Sequence, residues 1–356
     1  MQFNNLTDFS GLAWEVVNAK NEWSVASVLR IKFKFQKSNI PNTWNLIPDD
    51  EQGELFDADE FYGEVGQSSV RYESDYVSFK PNTDVIINAH AWAPKNELNT
   101  SWDCGVRIYN EENTLLKEYG LKVKTQKKQY KVGPAWISLG RDSENAVAIR
   151  YEKAKGGTVK IPAKKEGDKD KYLKADAYNP VGCGIYKMRD PNKEQLSPQI
   201  SYLGDKVKKV PAGFGFINRA WKSRYPYAGT YDQDWIDNQH PLPPHDFDPY
   251  YNQAAHPNLI MDGYLKGKVK ISLSNLMYEQ DEEQHIILDK YTLISKIKTH
   301  TGNIMNDMNL DTLIIDVDSE NQDEWQAYAS WRHLTNDAHH IEEAQTLLKN
   351  KESTDG

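Results

Sequence analysis

The chain has 356 residues, 38% of them hydrophobic and 27% charged, a balance ordinary for a soluble globular protein with a sizeable core. Its formal net charge of -9 comes entirely from residues 303–356, where twelve Asp and Glu face three Lys and Arg, so no net positive field exists to draw nucleic-acid phosphates. Two cysteines, Cys104 and Cys183, make neither a disulfide framework nor a zinc pattern.

Residues 1–20 lack the basic stretch and apolar run of a secretory leader, and nowhere do about 18 apolar residues run together. The expectation is a cytoplasmic protein without a nucleic-acid or membrane partner.

In chain order, the first strong pattern lies at residues 29–35. There Leu29, Ile31, Phe33 and Phe35 alternate with Arg30, Lys32 and Lys34, which on a strand sends one set inward and the other to water. After turn formers at 39–42, the alternation recurs at 85–91, 104–108, 269–273 and 291–297. Trp325, Ala327, Ala329 and Trp331 repeat it near the end. The 10 Trp, 20 Tyr and 10 Phe suit strands with one face wet. Short strands separated by turns predict a mostly β protein, an antiparallel sandwich or barrel-like set of sheets rather than a parallel α/β fold.

The lysine-rich residues 153–174 read as a solvated loop. A sub-boundary fits near residues 151–157, although the halves are not expected to fold separately.

Residues 178–257 break the alternation. They concentrate Pro211, Gly213, Gly215, Gly229, Pro241, Pro243, Pro244 and Pro249 among Tyr and Trp residues. Proline fixes φ and glycine permits positive φ, so this is a long irregular path that is nonetheless specified, anchored by its rings. Past residue 335 the pattern predicts one helix, from Ala338 to about Lys349, capped by Asn336 or Asp337. Ile341, Ala344, Leu347 and Leu348 would share its buried face, with Glu342 and Glu343 near its start. Residues 351–356 are expected to be a disordered tail.

Two constellations raise the question of chemistry. His240, His245, Asp246, Asp248 and His256 carry metal-binding groups, but the prolines between them extend the chain and no trusted ligand spacing appears. Asp232, Asp234, Asp246 and Asp248 beside Trp221, Tyr231 and Trp235 admit a carbohydrate-active or carbohydrate-binding alternative. The plainer reading is that Asp232 and Asp246 tie down loop amides by side-chain hydrogen bonds. No nucleophile elbow, phosphate-binding loop or dinucleotide fingerprint occurs. Neither a catalytic residue nor a cofactor is assigned.

Several blocks, in order, carry a resemblance. They are Ser68-Ser69-Val70-Arg71-Tyr72-Glu73-Ser74-Asp75 with Lys80-Pro81-Asn82-Thr83-Asp84-Val85, then Tyr151-Glu152-Lys153-Ala154-Lys155-Gly156-Gly157, then Asn179-Pro180-Val181-Gly182-Cys183-Gly184. A long fourth block runs from Pro211-Ala212-Gly213-Phe214-Gly215 through Trp221, Arg224, Ala228-Gly229-Thr230-Tyr231-Asp232 and Trp235 to His245-Asp246-Phe247-Asp248. Residues 311–316 and Trp331-Arg332 close the series.

This order resembles a bacterial family of unknown-function domains encoded beside spike and toxin genes of type VI secretion clusters. The resemblance implies an adaptor or chaperone that binds an effector toxin and helps mount it on the VgrG spike, with a PAAR-type tip as a further partner. It supplies no catalytic residues. Phe214, Trp221, Arg224, Tyr231, Asp232, Trp235, Asp246 and Phe247 are the expected partner-binding or loop-organising residues. The plainer expectation for Asp75, Asp84, Arg224 and Asp232 is that they are buried pairs or loop staples, and for Trp221 and Trp235 that they are core.

Overall fold

The computed structural model describes residues 1–94, 100–125, 127–132, 135–141, 146–161, 171–184, 195–204, 206–207, 209–278, 282–300, 302–336 and 341–349. Its spine is the 15-residue strand Trp23–Lys37. Along one edge it pairs antiparallel with Gln326–Asn336. Along the other, Ser10–Val17 covers its first half and Thr43–Pro48 its second. The alternating apolar set of residues 29–35 does turn inward, with Leu29, Ile31 and Phe33 fully buried.

From this spine a sheet of twelve strands curls into a half-barrel. One arm continues from Gln326–Asn336 through Asn309–Val317 and Asp84–Trp92 to Ala146–Ala148. The other runs from Thr43–Pro48 through Gln284–Leu288, Val269–Ser274, Ser101–Tyr109 and Leu115–Lys124 to Ile200–Tyr202. The alternating stretches named from the sequence fall on observed strands, except that residues 291–292 and Trp325 lie just before theirs. Pairing is antiparallel except at two joints, Asp84–Trp92 with Asn309–Val317 and Gln284–Leu288 with Thr43–Pro48. Ile87, Ile108, Leu121, Ile271, Ile286 and Ile315 fill the core with the spine's apolar set, and Phe214 and Phe216 enter it from the irregular segment.

Strands from both sides of residues 151–157 share this sheet. Those residues are themselves knotted to 179–183. The Asn179 amide donates to the carbonyls of Tyr151 and Lys155, at 3.0 and 3.1 Å. A Cβ on Gly156 would lie 2.3 Å from the Asn179 carbonyl oxygen, which explains the glycine. Within the lysine-rich stretch, Thr158–Ile161 pairs antiparallel with Lys171–Ala175. Its residues 162–170 lie outside the described set.

A second, four-stranded sheet orders Gln2–Asn5, Ile341–Leu348, Leu293–Thr299 and Gly302–Asp307. It packs on the spine through Ala13, Val25, Ile297 and Ala344, and the Ser295 hydroxyl donates to Ser27 at 2.9 Å. Here the expected C-terminal helix is wrong. Residues 341–348 form a strand, parallel to Gln2–Asn5 on one side and antiparallel to Leu293–Thr299 on the other. Ala344 and Thr346 are its fully buried positions, whereas Leu348 is exposed. The expected cap Asp337 and the tail 351–356 lie outside the described residues.

The strand makes an ordering that a helix would not. Thr346→Asp, burying a lone charge where the native hydroxyl bonds Asn5 at 3.0 Å, should destabilise by about 3–5 kcal/mol. Leu348→Asp, at a position 39% exposed, should stay within about 0.5 kcal/mol. Denaturant melts of the two variants measure both, and a helix with Leu348 on its buried face reverses the order.

Candidate functional site

The first sequence block forms a strap across the sheet, held by the buried Val70 and Tyr72 and by a set of largely buried charges. Arg71 and Tyr72 donate to Asp316, the arginine from 3.1 Å. Asp75 takes Arg30 at 2.6 Å and the Ser330 hydroxyl at 3.1 Å, while its carbonyl receives Arg332 at 2.9 Å. Arg332 also pairs with Asp311. Burial pushes the Asp311 carboxyl above its usual range despite Arg332 and Lys80 beside it. Arg30, expected to face water with Lys32 and Lys34, lies instead at 2% exposure beneath Phe56, 4.0 Å from its ring centroid. Only the two lysines stay at the surface, on Asp49 and Asp50.

The strap's other acids hold the irregular segment. Glu73 binds Arg224 at 2.6 Å and Arg219 at 3.3 Å. Burial pushes the Glu73 carboxyl up, but Arg224, Lys80 and Arg219 outweigh it and keep it below its usual range. Arg224 then spans the neck of the segment, donating to the carbonyl of Ile217 at 2.7 Å and to that of Tyr251 at 3.0 and 2.7 Å. At the return end Asp84 accepts from the Gln253 amide at 2.6 Å and the Ala254 N–H at 2.8 Å, while Lys80 neutralises it from 2.9 Å. Residues 225–252 are thus clamped at both ends by carboxylates of one strap and stand out between them.

That excursion is a set of tight turns with one short helix, Gln233–Asn238. Asp232 caps the helix by accepting from the Trp235 N–H at 3.0 Å. Asp248 caps the next turn at Tyr250, and Asp246 receives both the N–H and the hydroxyl of Thr230, at 2.9 and 2.7 Å. Gly229 sits at φ +86° with Pro244 and Asp246 against it, so a side chain there would strain both backbone and packing. Trp235 is half-buried between Tyr231 and His240, with ring centroids at 4.7 and 5.2 Å, and its Nε1–H donates to the Leu242 carbonyl at 2.9 Å.

The residues singled out from sequence therefore divide. Phe214, Trp221 and Arg224 are buried and organise the segment, with Trp221 edge-on to Tyr151 at 5.2 Å. Tyr231, Asp232, Trp235, Asp246 and Phe247 come together on the excursion's surface. Asp75 and Asp84 are buried partners, as their plainer reading holds.

The imidazoles of the metal alternative do not meet. His240 and His245 are exposed, whereas His256 is fully buried. Among the described residues, no group of three or more His, Cys, Asp and Glu is placed to hold a metal ion.

Sequence reasoning missed two features. The excursion also exposes Tyr225, Tyr227, Ile236 and Tyr250, at 63%, 41%, 56% and 45%. Apolar residues so exposed, beside turn formers, were the available signal. The second is a cleft of ≈ 400 Å³ between the excursion and the turn that follows Ser10–Val17. Tyr231, Pro243, Phe247 and Pro249 line it from the excursion, Val16, Val17 and Ala19 from the facing strand end and turn, and Phe79 and Leu334 also line it. Gln239 fastens the walls together, its amide donating to the Ala19 carbonyl at 2.7 Å and to that of Pro243 at 2.9 Å.

At the foot of the segment, His256 stacks on Tyr119 at 4.4 Å. Its Nδ1 accepts the Asn258 N–H at 3.1 Å, so the ring proton belongs on Nε2, 3.1 Å from the Tyr202 oxygen. The Tyr202 hydroxyl in turn donates to the Val210 carbonyl at 2.7 Å. Burial lowers the His256 pKa to about 3.

Two outcomes follow from these contacts. Arg224→Leu leaves Glu73 charged and buried and should cost about 3–5 kcal/mol, whereas the double change with Glu73→Leu should cost clearly less than the two single changes added together, as a double-mutant cycle of melts would read. His256 stays neutral when folded and protonates when unfolded. Its stabilisation is therefore complete above the ordinary histidine value and is lost as pH falls toward the folded one, at up to about 1.4 kcal/mol per pH unit. Melts between neutral pH and pH of about 5 should show a shallower decline in His256→Asn than in the native chain.

Comparison with known proteins adds a family and nothing finer. No curated protein matches the chain, and no solved structure does. A family model described as "Uncharacterized protein conserved in bacteria (DUF2169)" matches residues 21–323, a span that contains the strap, the excursion and both ends of the clamp. The chain belongs to this bacterial family.

Proposed function

We propose that the chain is a cytoplasmic adaptor that binds a type VI secretion effector and assists its loading onto the VgrG spike and its PAAR-type tip, acting by protein binding rather than catalysis. The observation that carries this reading is the clamped excursion, which holds Tyr225, Tyr231, Ile236 and Tyr250 in water at 45–63% exposure. Large rings and apolar side chains set on an ordered surface are what a protein interface uses as anchors, because little side-chain freedom remains to be lost on docking. The resemblance of the ordered sequence blocks to the secretion-associated family supports the choice of partners. No helix among the described residues is long and apolar enough to cross a membrane, which is compatible with a cytoplasmic site of action. The carboxylates considered for sugar chemistry are engaged in caps and turns at the excursion's surface, which favours binding over hydrolysis.

Co-expression with a type VI effector and a VgrG spike protein from the same genome tests the reading. Both partners should co-purify with the native chain, and Tyr231→Ser with Ile236→Ser should reduce effector recovery about tenfold or more without shifting the thermal melt. A native chain that ignores both partners overturns the proposal.

A further inference from the structure

The excursion is acidic as well as aromatic, and its acid is uncompensated. Residues 225–252 contain five aspartates, Asp232, Asp234, Asp237, Asp246 and Asp248, and no Lys or Arg. Among the described residues none of the five makes an ion pair. Each carboxylate instead accepts from a neutral donor. Asp234 takes the Asn238 amide at 2.7 Å, Asp237 the Gln233 amide at 2.9 Å, and the other three the backbone and hydroxyl groups already described. Hydrogen bonds of this kind orient a carboxylate without cancelling its charge. Three of the five, Asp232, Asp246 and Asp248, are chain neighbours of the cleft-lining Tyr231, Phe247 and Pro249. In the turn that follows Ser10–Val17, Glu22 adds another acid outside the cleft lining, bonded to the Asn18 amide at 2.7 Å, and Lys20 is the one lysine lining the cleft.

Apolar cleft and acidic rim together specify an occupant. From them we infer that the cleft seats an apolar side chain of an extended, lysine- or arginine-bearing segment of a partner protein. This rests on the adaptor reading above and names the chemistry of the segment it holds. Pro243, Pro249, Phe247 and Val17 make the lining mainly apolar, and Lys20 is its single charged residue and repels a cation, so the anchor is apolar. The flanking charges of that segment lie over the rim, within a Debye length of about 8 Å of the carboxylates, and the exposed faces of Tyr227, Tyr231 and Tyr250 give cations a second attraction. Because Gln239 already ties one wall to the other, the cleft is formed before the partner arrives.

The test uses the full chain and short labelled peptides carrying a central leucine flanked by lysines, by glutamates or by serines. Fluorescence anisotropy should show the lysine-flanked peptide binding about tenfold or more tightly than the glutamate-flanked one, with the preference fading at high salt. Ala19→Trp, which fills the cleft from a turn, should abolish binding. Asp232→Asn, Asp246→Asn and Asp248→Asn combined keep the caps, should leave the melt unchanged, and should weaken the lysine peptide about tenfold. Equal binding of the three peptides, or of native and variant chains, overturns the inference. So does concentration-dependent self-association that the triple variant relieves, since a second copy of the chain would then be the occupant. Effector capture read in parallel separates the two claims. Capture equal in native and variant chains sinks the cleft and leaves the adaptor reading standing. No capture by any of them sinks the adaptor reading, while the peptide preference still judges the cleft.

Discussion

The structure depends on the buried acids of the first sequence block reaching donors in two directions. Toward the sheet, Asp75 engages Arg30 through its carboxylate and Arg332 through its backbone carbonyl. Toward the outer segment, Glu73 engages Arg224, and Asp84 engages Gln253 and Ala254. Apolar contact would have held the strap down with comparable energy, since a buried ion pair often gains little over a hydrophobic replacement. What charge adds is direction. A guanidinium that must satisfy Glu73, the Ile217 carbonyl and the Tyr251 carbonyl together accepts one position of the neck, whereas a leucine would tolerate several. A segment with so little regular structure has no ladder of backbone bonds to fix its path, and here these side chains supply the register.

The same logic unites the two sheets. Gln326–Asn336 lies between Asn309–Val317 and the spine in the larger sheet, and Gln2–Asn5 pairs with Ile341–Leu348 in the smaller one. The structural unit therefore extends beyond residues 21–323 on both sides. Its ends meet in a sheet that covers Val25 and Ser27 on one face of the spine's first half. Arg30, on the opposite face, is buried by the strap instead. Read as one wet position in an alternating strand, it lies under the strap, where Asp75 compensates its charge.

Much of this was legible in the residues. Alternation found the strands because period two is a property of the chain alone, and the density of Pro and Gly marked the irregular segment for the same reason. Pairing was not legible, because it is decided by partners far away in sequence. Residues 341–348 show the difference. Ile341, Ala344, Leu347 and Leu348 fit a helical stripe, and Glu, Gln, Ala and Leu favour helices in isolation. Two neighbouring strands outweigh that preference by offering hydrogen bonds on both edges and a pocket for Thr346. The fate of the site residues was half legible. Aspartates before short turns read correctly as staples, but no local signal told Trp221, sealed against Tyr151, from Trp235 at the surface. The cleft could not be read at all, since its walls come from residues 16–20 and 231–249.

Rigidity at the neck also bears on what the excursion can do. A flexible acidic loop would attract a basic partner and then lose much of the gain in ordering itself. Here Arg224 and Asp84 fix both ends, Gly229 and the capped turns fix the middle, and Gln239 fixes the outer wall to the Ala19 carbonyl. The ordering has been met during folding, out of energy supplied by the core. Binding then has only the partner to order, so the rings and carboxylates can act on association almost undiminished. A surface ordered in this way is what the proposed adaptor role calls for.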